Sequence, residues 1–388
     1  MAGVLLLIIY VSFISLGLPD TLLGSGWPTM YGQLGVSVGD AGILTMVCGV
    51  GTICSTLCSQ HLIARFGTGK VTAGSTALTA VGLLCFSVSG KFWMLSVCMI
   101  PLGLGAGCVD AALNNYVALH YESHHMSWLH CMWGVGTTVS PYIMGAVLAA
   151  GASWRLGYRT VGFLQLGLSA ILFVTLPLWT SVRVTKAAVG TEVEMEVLPL
   201  RKTIAIPGVK AAVACFFLYC ALEQTAGLWA SSYLRLHRGI SADAAARFAS
   251  LYFLGITAGR GLSGLLTLRF TDRQLIGMGL AVILVGVLCV LLPVGNETAL
   301  LGFVLMGLGS GPIYPCMVHS TPVYFGERRC QAVIGVQMTG AFLGSCLMPP
   351  LFGVMAEYIH IKLLPLQLLL LLGLLTFAHI QVETRHET

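Results

Sequence analysis

Asp20, Asp110, Glu223 and Arg260 each stand inside a long apolar stretch of this 388-residue chain. Ionisable side chains in such places are expensive, so each is a candidate for moving an ion or holding a polar ligand. Asp20 is followed by Gly24, Trp27 and Tyr31, spacings that place all four on one face of a helix. A carboxylate beside large rings suits a ligand with hydroxyls on one side and an apolar face on the other, as in a sugar. Asp110 precedes Asn114 by one helical turn, with Asn115 beside it, so an acid and an amide can serve one proton and one set of hydroxyls. Glu223-Gln224 is followed by Trp229 and Tyr233 in the same style. His130 and Trp133 share a helix face with Gly134, Thr137 and Pro141, and Tyr314 and His319 complete the candidate ligand set.

The elements that position these groups are membrane helices. The chain is 56% hydrophobic and 9% charged with mean hydropathy +0.88, against about 25% charged residues in a soluble domain. A soluble multidomain enzyme is excluded. The net charge of +5 comes without a basic stripe, so no nucleic-acid partner is expected. A span needs about 20 apolar residues, and the chain holds twelve such stretches: Val4–Tyr31, Ala41–His61, Val71–Ser89, Phe92–Leu119, Trp128–Gly151, Thr160–Ser181, Val209–Leu236, Ser241–Leu266, Gln274–Val294, Ala299–Tyr324, Gln331–Ile359 and Leu363–Ile380. The expected fold is all-α, an integral membrane protein of twelve transmembrane helices. Its organisation is an N-terminal six-helix half (1–181), a cytoplasmic linker (182–208) and a C-terminal six-helix half (209–388) ending in a short cytoplasmic tail. The first span has Pro19-Asp20 where a cleavable signal would carry small residues, and is read as a retained helix.

The halves repeat each other. Gly103-Leu-Gly-Ala-Gly107 matches Gly307-Leu-Gly-Ser-Gly311 at an offset of 204 (307 − 103), and Arg65-Phe66 matches Arg269-Phe270 at the same offset. Trp27 and Tyr31 match Trp229 and Tyr233, Pro141 and Gly145 match Pro349 and Gly353, Asp20 matches Glu223, and Asp110 matches Tyr314. Six spans per half give both copies the same orientation, the plan of an alternating-access transporter. Lys and Arg outside the spans favour one side, which places both termini in the cytoplasm of a cell-membrane protein. On this plan Arg65, Lys70, Arg260 and Arg269 are candidate gating residues.

The string His120, Glu122, His124, His125 resembles one histidine box of di-iron membrane enzymes, but such sites need several boxes, and the remaining histidines stand singly. There is no GxxxxGK[ST] phosphate loop. Neither an enzyme nor an ATP-driven pump is expected, and no cofactor; a proton gradient is the natural driver.

The residues resemble the major facilitator superfamily, and within it the fucose:proton symporter group. Leu62 to Lys70 is similar to the superfamily's gate motif GxLxDRxGRK, with Ala64 replacing its acidic residue. Gly17-Leu-Pro-Asp20-Thr-Leu-Leu23, Gly107-Cys-Val-Asp110-Ala-Ala-Leu-Asn114 and Leu129-His130-Cys-Met-Trp133-Gly-Val-Gly136 resemble the symporter group's acidic and sugar-contacting segments. The resemblance implies a proton-coupled symporter of a monosaccharide or similar polar solute, a monomer in the bilayer. Proton coupling falls to Asp110, Asp20 and Glu223, and substrate binding to Asp20, Trp27, Asn114, Asn115, His130, Trp133, Gln224, Trp229, Tyr314 and His319. The alternative is a proton-driven antiporter exporting amphipathic compounds through an aromatic- and Met-lined path.

Overall fold

The computed structural model describes residues 2–36, 40–179, 196–240, 242–292 and 294–384, with the backbone alone at 2, 28, 231 and 242–250. Residues 182–195 of the linker, the end of the sixth expected span at 180–181, Ser241 and the tail 385–388 lie outside the described residues. The long helices are α1 (Ala2–Asp20), α2 (Leu22–Leu34), α3 (Ala41–Phe66), α4 (Thr68–Val88), α5 (Phe92–His120), α6 (Ser123–Ala149) and α7 (Trp154–Val174). After a short α8 (Leu200–Ala205) come α9 (Val209–Leu236), α10 (Ala242–Leu266), α11 (Asp272–Leu291), α12 (Asn296–His319), a short α13 (Thr321–Phe325), α14 (Cys330–Met355) and α15 (Leu364–Thr384). Each of the twelve expected stretches falls on these helices as far as the described residues reach, and ten helical segments among those residues are long and apolar enough to cross a membrane. One correction concerns the first: it is not continuous but breaks at Thr21 into α1 and α2. Pro19 removes a backbone donor and disfavours straight continuation.

The buried core is apolar, but many apolar side chains also face outward, and one helix buries a stripe of small and hydroxyl-bearing residues. On α3 the buried residues are Leu44, Gly51, Thr52, Ser55, Thr56, Ser59 and Ile63, whereas Met46 and Val50 are exposed. Small and hydroxyl-bearing residues let helices approach closely where lipid offers no competing hydrogen bonds, and the outward Leu, Val and Phe side chains suit a lipid solvent.

The chain forms two compact units. The first comprises Met1–Tyr116, Met132–Val197 and Glu327–Gly335; the second comprises Val117–Cys131, Leu198–Gly326 and Val336–Thr388. Each consists mainly of one half of the sequence and takes in a short piece of the other. In the first unit Gln331 Nε2 donates to Ser59 Oγ at 3.3 Å, and a Cβ at Gly335 would lie 3.1 Å from the Thr56 carbonyl. In the second, Cys131 Sγ lies 3.8 Å from the Thr257 carbonyl.

The glycine runs carry the same packing in both units. A Cβ at Gly103 would lie 2.1 Å from the Cys48 carbonyl oxygen, and one at Gly307 2.2 Å from that of Tyr252. Gly105 meets Ser75 and Gly309 meets Gly279; Gly107 meets Ser55 and Gly311 meets Gly259. Every partner pair is again 204 residues apart. The fourth helix of each repeat is thus wedged between the second and third by alternate glycines.

Candidate functional site

In the first unit, α1 and α6 cross at Gly17 and Gly136, where an added Cβ would lie 2.3 Å from the Trp133 carbonyl and 2.1 Å from the Ile14 carbonyl respectively. This close crossing brings Asp20 to Trp133, whose indole Nε1 donates to Asp20 Oδ2 at 2.9 Å. Thr21, at the helix break, donates to the Thr137 carbonyl at 2.8 Å. Asp20 is exposed at the end of α1. On α5 Asn114 Nδ2 donates both to Asp110 Oδ1 (2.8 Å) and to the Asp110 carbonyl (2.9 Å), the arrangement expected from their one-turn spacing. Asn114 and Asn115 are buried and Asp110 is half-buried. Among the described residues no basic side chain is paired with Asp20 or Asp110.

Trp27 departs from expectation. It lies beyond the break at Thr21 and is 5% exposed, in an apolar core with Leu18, Met30, Leu44 and Met144. Its ring meets Phe92 edge-on at 6.5 Å. Tyr31 packs on the same core. The ring that bonds to Asp20 is that of Trp133.

In the second unit Glu223 is buried and ion-paired: Arg260 Nη2 lies 3.5 Å from Glu223 Oε2, and the Tyr219 hydroxyl, one turn back on α9, donates to the same oxygen. That hydroxyl also lies 2.9 Å from the Ser310 carbonyl, and Tyr252 Oη donates to the Glu223 carbonyl at 2.9 Å. Arg260, a gating candidate, is paired with an acidic residue in this buried network. Gln224 is half-buried beside it. Tyr314 sits among rings, with His130 at 5.0 Å, Phe216 at 5.1 Å and Tyr219 at 5.9 Å. These residues of α6, α9 and α12 form one aromatic cluster in contact with the Glu223 network through Tyr219.

Two further candidates sit elsewhere. Trp229 Nε1 donates to the Pro349 carbonyl at 2.9 Å and its ring meets Phe352 at 5.5 Å, so it fastens α9 to α14. His319 is bound to Asp272, with Nδ1 2.6 Å from Oδ2, at the helix ends rather than with Tyr314. At the expected gates, the Arg65 guanidinium lies 5.4 Å over the Phe66 ring, and Lys70 and Arg269 are exposed. Tyr219 and Asp272 were missed in the sequence. The spacing of Tyr219 to Glu223 could have found the first, while Asp272 lies in a loop-like stretch whose partners are remote in sequence. In the histidine string, His124 and His125 stack at 3.9 Å and His124 Nδ1 lies 3.4 Å from Glu122. Among the described residues no group of three His, Cys, Asp or Glu could hold a metal ion.

Comparison with known proteins agrees with this architecture. Bypass of stop codon protein 6 of Saccharomyces cerevisiae is 23% identical over 94% of this chain and 80% of its own length. Among solved structures, the fold is similar to those of FucP in the outward conformation (TM-score 0.76, 14% identity, 97% of this chain and 98% of that one) and the proton:xylose symporter XylE (0.78, 11%, 97% and 94%). It is equally similar to the human organic anion transporter MFSD10 (0.75, 14%, 97% and 98%). The family model of the Major Facilitator Superfamily matches residues 9–249 and 211–387. The chain belongs to the major facilitator superfamily and is a multi-pass membrane transporter rather than an enzyme.

Proposed function

We propose that the protein is a proton-coupled symporter of a monosaccharide or a similar polar solute. It works by alternating access, as a monomer in the cell membrane, with both termini cytoplasmic and no cofactor beyond the proton gradient. The observation that carries this reading is the pair Asp20 and Asp110. Each has one oxygen held by an N–H donor, from Trp133 and Asn114, and among the described residues neither is paired with a cation. Carboxylates within apolar spans are costly to keep charged without a cation, and the cost falls more on half-buried Asp110 than on exposed Asp20, so a proton on Asp110 is the stable resting arrangement. The free oxygen of each carboxyl can take that proton without breaking the hydrogen bond to the other. Glu223, held by Arg260, has its charge already balanced, and the coupling role rests on the two aspartates.

The sugar reading draws on Asp20 and Trp133, a hydroxyl-binding acid against an aromatic ring, and on the likeness of the fold to two sugar transporters, a fucose:proton and a proton:xylose symporter. The amphipathic-export reading needs several rings lining a path, and Trp27 and Trp229 are both engaged in helix packing. The test is uptake into proteoliposomes, with an acid exterior, of labelled hexoses, deoxyhexoses and hexosamines. Accumulation that collapses when the proton gradient is dissipated is expected. Absence of accumulation across the panel, or expulsion under an inward proton gradient, overturns the symporter assignment.

A further inference from the structure

His319 stands at the last residue of α12 with both ring nitrogens against oxygen atoms. Nδ1 lies 2.6 Å from Asp272 Oδ2, and Nε2 lies 3.3 Å from the backbone carbonyl of Tyr121. Asp272 opens α11, and its carboxylate also receives Ser123 Oγ on Oδ1 and Ser320 Oγ on Oδ2, the latter at 3.4 Å. Tyr121 and Ser123 belong to the junction between α5 and α6, which comes from the N-terminal half of the sequence yet lies in the second compact unit. His319 and Asp272 therefore fasten that junction to α11 and α12.

The proton count of this cluster follows from its partners. A backbone carbonyl only accepts, so a hydrogen bond from His319 to Tyr121 requires hydrogen on Nε2. With Nε2–H fixed, Nδ1 faces Asp272 either as N–H against a carboxylate or as a lone pair against a carboxylic acid, and both forms contain one proton more than neutral histidine beside a carboxylate. Losing that proton leaves one N–H on the ring: it stays on Nδ1, where the carboxylate of Asp272 accepts it at 2.6 Å, and Nε2 then turns a lone pair to the Tyr121 carbonyl, so the hydrogen bond to the junction is the one that is lost. The two serine donors favour the carboxylate form, with His319 as the imidazolium. The other ionisable groups around the cluster are Glu122 from the junction, Cys316 one turn back on α12, and Arg273 beside Asp272, whose Nε is held by Glu383 at 2.5 Å.

We propose that His319 and Asp272 form a proton-operated latch on the α5–α6 junction, closed when the pair holds its extra proton and released when it is lost. The latch lies near the Arg269 end of the helices. On the orientation assigned above, with which it shares that one premise, it reads the cytoplasmic pH and loosens as that side becomes alkaline. It needs neither the substrate nor the coupling aspartates.

Hydrogen–deuterium exchange on the full chain in nanodiscs tests it without any substrate, so failure of the symporter assignment leaves the result intact. The readout is protection of the peptide covering residues 119–125, corrected for the intrinsic pH dependence of exchange. In the parent protein, protection is expected to fall about tenfold between pH 6 and pH 8, the loss of one hydrogen bond to a charged group. In His319→Gln and in Asp272→Asn protection should be low at both values, with distant helices unchanged as evidence of intact folding. Protection that is independent of pH in the parent protein overturns the latch. So does a pH response that survives His319→Gln, or one that disappears only when His124 or His125 is replaced.

Discussion

At Asp110 the carboxyl group has one oxygen engaged by Asn114, and at Asp20 one is engaged by Trp133; the donors differ, and so do the consequences of losing them. Asn114 is a buried neighbour one turn along the same helix, so the Asp110–Asn114 pair is built into α5 and moves with it. Trp133 reaches Asp20 from another helix, and its ring can also face a ligand. We therefore assign proton carriage to Asp110 and substrate sensing to Asp20. Asp110→Asn keeps a hydrogen-bonding group but cannot carry a proton; gradient-driven accumulation should vanish while exchange of substrate across the membrane persists. Asp20→Asn should mainly weaken apparent affinity. Proton uptake measured with a pH electrode on vesicles of each variant separates the roles, and loss of proton movement in Asp20→Asn alone would reverse them. Trp133→Phe retains the ring and removes the donor, and should lower apparent affinity about tenfold; unchanged affinity in a transport competition assay would mean that the indole N–H only packs.

The helices show what could be read in advance and what could not. The one-turn spacing of Asp110 and Asn114 and the Gly103–Gly107 run both act within a single helix or between helices brought together by a repeat, and both stand in the structure as spacing implied. Trp27 and Asp20 stand on either side of the break at Thr21, and face arithmetic cannot tell that the Trp27 ring is taken up by an apolar core. His319 failed for a different reason: periodicity tells which residues share a face, but its partner Asp272 lies 47 residues away on another helix. The close approaches themselves make a test. Gly103 has the Cys48 carbonyl 2.1 Å from where a Cβ would stand, while Gly145, on α6, has open space. Gly103→Ala must push helices apart, a change of the overpacking kind that costs about 1–3 kcal/mol, and Gly307→Ala should behave alike because Tyr252 stands in the equivalent place. Gly145→Ala should be neutral or slightly stabilising by helix propensity. Thermal unfolding in detergent distinguishes the three, and equal melting temperatures for Gly103→Ala and Gly145→Ala would contradict the packing.

Across the whole molecule the two repeats share a frame and differ in charge. Glu223 takes the place of Asp20, and subtracting the offset of 204 from Arg260 gives Thr56, a small hydroxyl that bonds to the Thr52 carbonyl at 2.7 Å. Among the described residues, the C-terminal repeat thus holds a carboxylate, Glu223, with its own cation, whereas Asp20 and Asp110 of the N-terminal repeat are paired with none. A balanced buried pair is costly to break: removing one partner leaves an uncompensated charge and typically loses about 3–5 kcal/mol, whereas replacing both by uncharged groups can be neutral. Arg260→Met should therefore destabilise strongly, by leaving Glu223 with only the Tyr219 hydroxyl beside its carboxylate. Adding Glu223→Gln to Arg260→Met should recover most of that loss, since neither side chain is then charged and Tyr219 can still donate to the amide oxygen. The same double variant should keep gradient-driven accumulation if coupling resides in the N-terminal repeat. Thermal unfolding reports the first part and vesicle uptake the second. A double variant that is stable but no longer concentrates substrate would move the coupling site to Glu223 and end the division of labour between the repeats.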